Sequence, residues 1–517
     1  MERSRNSMRN IAFALGGQIL NILMSFAMRT VFVNTLGEVY LGVNGLFTNI
    51  LMVFSLADLG VGTAIIYAMY KPVAEHDTHK IQALMNMYGR AYRTIGMVII
   101  GMGLAMTPFI RYLVKTDQDI PDLQVIFLLF VANTASTYFF AYKGTLITAH
   151  QKNYIVTNVV YSTSILCYGV QIVVMLLTHN YILTLSIQVG TNILQNIITM
   201  LIANKMYPYI KKRNNESLRR REKRGIYRNM GALVFYRTGQ VIINGTDNIV
   251  ISAMVGIVES GIYSNYLLLT TTIKNLLQQV FHAITASVGN LNVEESNETK
   301  YNVYNAIYFG NFWLFGFSTV CFWVLFNPFI ELWIGSEWLL SLPVVFWIVL
   351  NFYMTGMRQV NITFRDTMGV FREGKYVPMM AAIINVVVSI WLAPTLGLEG
   401  VFIGTAVSTV STLLWLEPLI LHRYGFKRGC AEYFVKYAAY FLTTALSCWV
   451  TKLACDAVFP VNTILTFIGR LFFCLVIPNA IMLGIFWKTK DCHMLRNMVM
   501  GVLKRRSHRK KRRVTAS

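Results

Sequence analysis

The sequence predicts an all-α polytopic membrane protein with about 14 transmembrane helices. Apolar stretches of about 20 residues, which suffice to cross a hydrocarbon core of about 30 Å, alternate with short polar connections along all 517 residues. Of the 46 Lys and Arg residues, 39 are assigned to one side of the predicted membrane, 3 to the other side and 4 to its interior. Cationic side chains cross the bilayer poorly, so the basic connections and both termini are predicted to be cytoplasmic.

The spans divide at one long basic connection. Residues 205–228 carry 10 Lys and Arg residues, so this segment cannot lie in a membrane and separates six spans from eight. The apolar stretches predict spans, in chain order, at 10–33, 41–70, 94–114, 123–142, 154–177, 180–204, 229–254, 260–288, 304–327, 340–363, 377–394, 397–421, 433–451 and 464–487. The predicted domains are a six-helix lobe at 1–204, the linker 205–228, a second six-helix lobe at 229–421, a further helix pair at 422–487 and a basic cytoplasmic tail at 488–517.

The outer connections support the same order of spans. They follow the first, third and later odd-numbered spans and carry acids in place of bases, among them Glu38, Asp119, Glu259, Glu337 and Asp456. A chain that alternates in this way places each span between a basic inner end and an acidic or neutral outer end.

A short glycine motif occurs at the same point in both predicted lobes. Residues 35–43, TLGEVYLGV, join the first span to the second, and residues 254–262, MVGIVESGI, join the seventh to the eighth. Each motif has two glycines five residues apart with an acid between them. The recurrence predicts two repeated six-helix bundles, as many transporter folds have.

The composition excludes several classes of protein and site. The net charge of +22 arises from the one-sided loops, so it does not indicate a nucleic-acid partner. The seven cysteines have no spacing typical of a metal site, and we expect no metal, cofactor or disulfide. The basic tail at 488–517 is expected either to bind anionic lipid head groups or to remain solvated while holding the C-terminus inside.

The segment 29–47, RTVFVNTLGEVYLGVNGLF, resembles the first helical hairpin of the polysaccharide transporter family. These proteins are oligosaccharide-lipid flippases of the multidrug/oligosaccharidyl-lipid/polysaccharide (MOP) exporter superfamily. Four other segments are similar to the same family: SLADLGVGTAI at 55–65, YKP at 70–72, GVFREGKY at 369–376 and GVFIGT at 400–405. The similarity extends over nearly the whole chain, including the number of spans.

The resemblance implies two six-helix lobes around a central cavity that opens alternately to either side of the membrane. Family members move undecaprenyl-diphosphate-linked sugars from the inner to the outer leaflet of the bacterial plasma membrane. A lipid-linked oligosaccharide is therefore the expected substrate, and a polymerase or other export protein is an expected neighbour.

Charged side chains within the spans are the candidate binding residues, because such charges are costly in lipid and usually face a wet interior. Arg237 lies about eight residues into its span and Lys274 about fourteen into the next, which places both near mid-depth at a rise of about 1.5 Å per residue. Two cations at this depth suit a diphosphate. Pairing with a carboxylate or with helix carbonyls is the alternative.

Three more arginines are candidates nearer the membrane surfaces. Arg29 lies near the outer end of the first span, where it either faces the cavity or extends to the interface. Arg358 and Arg365 are seven residues apart and therefore share one helix face at the cytoplasmic end of the tenth span. They are interpreted either as a phosphate-binding cytoplasmic mouth or as ordinary inside-positive charges.

Two acids lie within the spans. Asp58 is about seventeen residues into the second span, and Asp247 lies near the outer end of the seventh. An acid at this depth either carries a proton or Na⁺ for coupling, or neutralises an internal cation. Both interpretations remain open.

Two other functions were weighed. A membrane polymerase or glycosyltransferase would need an outer domain to hold an acceptor sugar, whereas the outer connections are short and the one long internal hydrophilic segment is basic. A multidrug or cation antiporter of the same superfamily would favour acids within the spans. The mid-membrane charge here is net basic, which favours a flippase over the antiporter. Together with the short outer connections, this predicts that the chain is a flippase and not an enzyme.

The predicted orientation can be tested by labelling introduced cysteines. In a background without the native cysteines, a cysteine at Glu38, Asp119 or Glu337 is expected to react with an impermeant maleimide in intact cells. A cysteine placed in 211–224 is expected to react only after the cells are opened, because that segment is predicted to be cytoplasmic. Labelling of 211–224 from outside would overturn the orientation.

Overall fold

The chain was analysed as a computed structural model that describes residues 2–55, 62, 65, 68–69, 72–73, 75–114, 120–150, 152–210, 216–220, 222–224, 226, 245–294, 296–370, 373–498 and 500. The described residues form helices and short connections, with no β-strand among them. An all-helical chain is what a lipid environment requires, because each backbone N–H and C=O must find its partner within the protein. The predicted fold class, an all-α polytopic membrane protein, is confirmed.

The helices have the following bounds: α1 (Glu2–Phe54), α2 (Thr78–Met106), α3 (Ile110–Leu113), α4 (Leu123–Phe140), α5 (Gly144–Ala149), α6 (Asn153–Thr178), α7 (Tyr181–Met206), α8 (Ile257–Glu294), α9 (Asn297–Ile334), α10 (Leu342–Met357), α11 (Gln359–Met368), α12 (Val377–Leu396), α13 (Leu398–Ser408), α14 (Leu414–Ile420), α15 (Ala431–Val458) and α16 (Ile464–Phe486). Short π-helical segments at Ile251–Val255, Thr409–Leu413 and Leu421–Phe426 interrupt or extend this pattern. Among the described residues, nine helical segments are long and apolar enough to cross a membrane.

Two predicted boundaries differ from the observed helices. The segment 71–93 was predicted as a connection because of its basic residues, but α2 already begins at Thr78, where Asp77 accepts a hydrogen bond from the backbone N–H of Lys80 at 2.9 Å. Of the bases in α2, Arg90 and Arg93 are exposed and Lys80 is half-buried, whereas many apolar side chains of the same helix are buried. The predicted span 340–363 is interrupted at Arg358, between α10 and α11.

Contacts between Cα atoms divide the chain into two compact units. The first unit comprises Met1–Ser264 and Ile390–Val401, and the second comprises Asn265–Ser389 and Phe402–Ser517. These are units of contact, and the predicted domain bounds based on the sequence repeat stay a prediction.

In the first unit, helices α1 and α2 pack against α6 and α4 respectively, and α7 packs against both α4 and α6. Its core includes several tyrosines, with the ring centroids of Tyr88 and Tyr92 4.3 Å apart in an edge contact. Part of the basic linker lies against this core. Lys80 Nζ lies 2.8 Å from Glu222 Oε1, and this hydrogen bond holds the pKa of the Glu222 carboxyl below its usual range.

In the second unit, α9 packs against α10, α15 and α16, and it is the most deeply buried of the long apolar helices. Aromatic side chains fill the contacts around it. The rings of Phe312 and Tyr440 stack with their centroids 4.2 Å apart, and Tyr304 and Tyr308 are fully buried. Asn311 Nδ2 donates to the carbonyl of Gly356 at 3.1 Å, which ties α9 to the end of α10.

The repeated glycine motif forms a close helix contact in the first unit. Gly37 has φ +74° and breaks α1 at the predicted turn, since a side chain would be strained there. Beyond the break, a Cβ at Gly42 would overlap the carbonyl oxygen of Ile257, and a Cβ at Gly261 would overlap that of Glu38. The contact is reciprocal: the second glycine of each motif lies against the residue that follows the first glycine of the other.

This reciprocal contact can be tested by adding one methyl group. Gly42→Ala is expected to lower stability by about 1–3 kcal/mol, because a filled contact cannot take the extra carbon without displacing a helix. Gly45→Ala is the matched control, since its Cβ would meet Ser260 Oγ at an ordinary 3.9 Å. The measurement is the melting temperature of the purified protein in detergent. Equal melting temperatures for the two variants would show that the contact is not tightly packed.

Candidate functional site

Arg29 lies in α1 of the first unit, eight residues before the break at Gly37. Its Nη2 donates a hydrogen bond to Ser264 Oγ in α8, and that hydroxyl in turn donates to the carbonyl of Gly261 at 2.6 Å. Arg29 is half-buried and Ser264 is buried. The guanidinium is thus held against α8, next to the glycine contact, and is not extended into solvent.

A tyrosine that the sequence analysis did not single out lies beside Arg29. Tyr181, at the start of α7, is 5% exposed and packs edge-on against Phe32 and Tyr40, with ring centroids 5.2 and 5.5 Å apart. Its hydroxyl interacts electrostatically with Arg29 but makes no hydrogen bond with the residues that the structure describes. Tyr181 directly follows a predicted outer connection, and nothing in the sequence there indicated that its side chain would lie beside Arg29.

Asp247 also belongs to the first unit. It lies half-buried on a short helix at 245–250 and interacts electrostatically with Tyr263 in α8. Two other residues chosen from the sequence, Arg237 and Asp58, lie outside the described residues.

The second unit contains a buried pair formed by an arginine and a glutamate. Arg358 lies at the interruption between α10 and α11, and its Nε and Nη2 donate to Oε2 and Oε1 of Glu417, both at 2.9 Å. Arg358 is 8% exposed and Glu417 is 5% exposed. The two parallel hydrogen bonds are the bidentate geometry in which an arginine binds a carboxylate or a phosphate.

Arg365 contacts the same glutamate. Its Nη1 lies 3.6 Å from Glu417 Oε1, and its Nη2 lies 3.0 Å from Oδ1 of Asp366. Arg365 is buried, whereas the Asp366 side chain is 46% exposed. Both arginines of the predicted cytoplasmic mouth therefore reach one carboxylate in α14, and their role at a mouth stays a prediction.

Lys274 in α8 is the third cation of this region. It is half-buried, and its charge is repelled by that of Arg358. Within the part of the chain that the structure describes, Lys274 makes no hydrogen bond and no salt bridge. We call Lys274, Arg358, Arg365, Asp366 and Glu417 the Arg358 cluster. It holds three cations against two acids.

Polar and aromatic side chains hold the interruption at Arg358 in place. Tyr304 donates to Asn361 Oδ1 at 2.6 Å, and Asn361 Nδ2 donates to the Tyr433 hydroxyl at 3.1 Å. His422 contacts the rings of Tyr304 and Tyr433 and lies 2.8 Å from the carbonyl of Pro418 through its Nδ1. These contacts connect α9, α11 and α15 to the helix that carries Glu417.

Glu417 is the functional candidate that sequence analysis missed. It lies near the cytoplasmic end of the predicted span 397–421, where an acid is unexpected among inside-positive charges. That contrast could have identified it. Its partner could not have been identified, since the pair is 59 residues apart in sequence. The described residues contain no group of three or more potential metal ligands.

A comparison with protein families supports the fold and adds a family. A family model described as "Polysaccharide biosynthesis protein" matches residues 7–286, which is more than half of the chain. No curated protein matches the chain in sequence.

Solved structures with the same fold cover most of the chain. The lipid II flippase MurJ, in an inward closed conformation, is 12% identical with a TM-score of 0.66, over 93% of this chain and 99% of that one. An inward-facing multidrug resistance MATE family transporter of the MOP superfamily is 16% identical with a TM-score of 0.60, over 80% and 99%. A MOP superfamily transporter from Pyrococcus furiosus is 14% identical with a TM-score of 0.50, over 81% and 96%. At these identities the likeness shows the fold.

Proposed function

Because the chain belongs to the family of polysaccharide biosynthesis proteins, we propose that it is a flippase for undecaprenyl-diphosphate-linked oligosaccharide. It moves this lipid from the inner to the outer leaflet of the bacterial plasma membrane by alternating access, for export of a cell-surface polysaccharide. The membrane-spanning helices and the fold shared with a lipid II flippase support this proposal.

The observation that carries the proposal is the excess of positive charge at Lys274 and Arg358. Both cations lie within spans that the sequence predicts, at 260–288 and 340–363, and Lys274 has no counter-anion among the described residues. A cation in such a place is costly unless an anion joins it. A diphosphate supplies that anion, while the lipid tail stays in the bilayer and the sugars need only polar groups.

We assign the diphosphate to Lys274, Arg237 and Arg29, with Arg358 and Arg365 as the first cations met from the cytoplasm. Each assignment rests on charge and predicted depth, and for Arg237 on the sequence alone. The basic tail at 488–517 is proposed to bind anionic lipids, and a polymerase is proposed as the recipient of the exported product. Coupling to a proton or Na⁺ gradient would involve Asp58 or Asp247.

A multidrug or cation antiporter is the second candidate, and the shared fold with a MATE family transporter favours it. A transporter of cationic drugs needs uncompensated acid where its substrate binds. Within the described part of the second unit, the buried acid Glu417 already binds two arginines. The charge of the Arg358 cluster therefore supports an anionic substrate.

The binding role of the cations predicts a loss of transport without a loss of protein. Arg237→Ala and Lys274→Ala are each expected to abolish transport of labelled undecaprenyl-diphosphate sugar into proteoliposomes, because one positive charge at the diphosphate is lost. Arg237→Lys is expected to restore only part, since a point charge replaces a planar fork. Lys375→Ala, which removes an exposed cation of the second unit, is the control. Full transport by both alanine variants would exclude diphosphate binding by these residues.

Asp58 distinguishes ion coupling from charge balance. If Asp58 carries the coupling ion, Asp58→Asn is expected to transport without dependence on the ion gradient. If it neutralises an internal cation, the same change leaves that cation unpaired, at a typical cost of about 3–5 kcal/mol, and lowers stability and abundance. The measurements are transport with and without a proton or Na⁺ gradient, and the melting temperature. Transport with unchanged gradient dependence would exclude coupling through Asp58.

A further inference from the structure

The pair of Arg358 and Glu417 has the geometry of an occupied anion site. Two guanidinium N–H groups of Arg358 point at two carboxylate oxygens at 2.9 Å. A phosphate group presents two oxygens at nearly the same spacing and accepts the same fork. Glu417 therefore occupies the place on Arg358 where a phosphate would bind.

Counted over its five described residues, the Arg358 cluster holds three cations and two acids. If the pair only stabilised the fold, its charges would be expected to cancel, because an uncompensated buried charge is costly. Lys274 adds a third positive charge that is repelled by Arg358 and has no hydrogen bond or salt bridge to any described residue. Asp366 does not balance the positive charge of the buried residues, since its own side chain is 46% exposed to solvent.

The helix that carries Glu417 is short and has an irregular hydrogen-bonding pattern on both sides. Helix α14 has only seven residues and lies between the π-helical segments Thr409–Leu413 and Leu421–Phe426. Pro418 follows Glu417 within it and removes one backbone hydrogen bond. π-Helical turns mark places where a helix changes its register, frequently at functional sites. A small shift of α14 would withdraw Glu417 from Arg358.

The arginine side of the pair is also at a break. Arg358 lies between α10 and α11, where it is the C-cap of the first helix and the N-cap of the second, with φ −77° and ψ −14°. Its charge also interacts with Tyr433 and Tyr437 of α15, so groups other than Glu417 lie near the guanidinium.

We propose that Glu417 is an internal anion that holds Arg358 between transport cycles, and that the substrate diphosphate displaces it to bind Arg358 together with Lys274. The displacement rests on the proposed function, because it names the residue that the diphosphate must replace. It makes Glu417 a competitor of the substrate, so that binding and the movement of α14 occur together.

Competition by Glu417 can be measured with inorganic pyrophosphate on the purified full-length protein in detergent, by thermal shift at constant ionic strength. Glu417→Gln keeps the shape of the side chain and removes its charge. Without pyrophosphate, this variant is expected to melt at a lower temperature than wild type, because Arg358 loses its counter-anion. Pyrophosphate is then expected to raise its melting temperature at concentrations about tenfold lower than those needed for wild type. The double variant Arg358→Gln, Glu417→Gln is expected to lose this response.

Asp456→Asn is the matched control. Asp456 accepts a hydrogen bond from Arg470, which is 8% exposed, with Oδ1 3.5 Å from Nη1. This variant also deprives a buried arginine of a carboxylate, and it leaves Lys452, whose Nζ lies 3.1 Å from Asp456 Oδ2, without that partner. The Asp456 side chain is 47% exposed, however, so water already reaches this position, whereas Glu417 is buried. The variant is expected to lose stability without gaining sensitivity to pyrophosphate.

Three results would overturn the displacement. The first is a response of Glu417→Gln to pyrophosphate only at the concentration that wild type needs. The second is a gain of the same sensitivity by Asp456→Asn, and the third is a response that the double variant keeps. If Glu417→Gln does not fold, Glu417→Asp takes its place. Its shorter carboxylate loosens the fork, so a smaller gain in the same direction is expected, and a wild-type response would contradict the proposal.

Wild-type protein separates this inference from the proposed function. Wild type that transports no undecaprenyl-diphosphate sugar would contradict the flippase. If wild type transports the lipid but the melting temperatures of the Glu417 variants respond to pyrophosphate as that of wild type does, only the displacement is contradicted. A gain in the Glu417 variants without any lipid transport by wild type would support an anion site that serves another substrate.

Discussion

The structure depends on one constraint: a backbone polar group within lipid must find its partner inside the protein. That requirement makes every described span a helix, and it makes each departure from a helix costly. The departures occur at Gly37, at Arg358 and at the π-helical segments on either side of Glu417. Irregular backbone at membrane depth is tolerated where protein buries it or where it lines a wet cavity. Of the candidate charges, Arg358 and Glu417 lie at or next to these places.

Charge follows the same logic as the backbone. Arg358 and Glu417 satisfy one another through two hydrogen bonds, and Arg365 shares the glutamate. Removing either partner would leave the other as a buried charge without its counter-ion, in surroundings that solvate it poorly. Replacing a partner with an anion from outside avoids that cost. A buried ion pair beside a lysine that has no counter-anion among the described residues is therefore suited to exchange its anion, which a well-packed apolar contact could not do.

The sequence predicted the features that depend on local composition. Apolar runs predicted the all-helical fold class, and the glycine motif predicted the turn at Gly37, and both agree with the structure. The start of α2 at Thr78 was mispredicted, because its bases look like those of a loop. Glu417 was missed for a different reason: its partner is far away in sequence, and only the packing of α14 beside the α10–α11 interruption brings the two together. Pairs formed by packing leave no periodic trace.

The glycine motif shows how a sequence repeat can become a contact between its two copies. Each copy contributes one glycine whose missing side chain makes room for the carbonyl that follows the first glycine of the other. Arg29 is tied to this contact, since it donates to Ser264 and Ser264 donates to Gly261. Gly261 lies against the backbone of Glu38, in the second half of the same helix that carries Arg29. A ligand that draws the guanidinium of Arg29 away from Ser264 removes a hydrogen bond from the Ser264 hydroxyl. That hydroxyl is bonded to the carbonyl of Gly261, the glycine that packs against Glu38. If the proposed substrate binds at Arg29, this chain of hydrogen bonds couples its binding to the packing of the repeated turns.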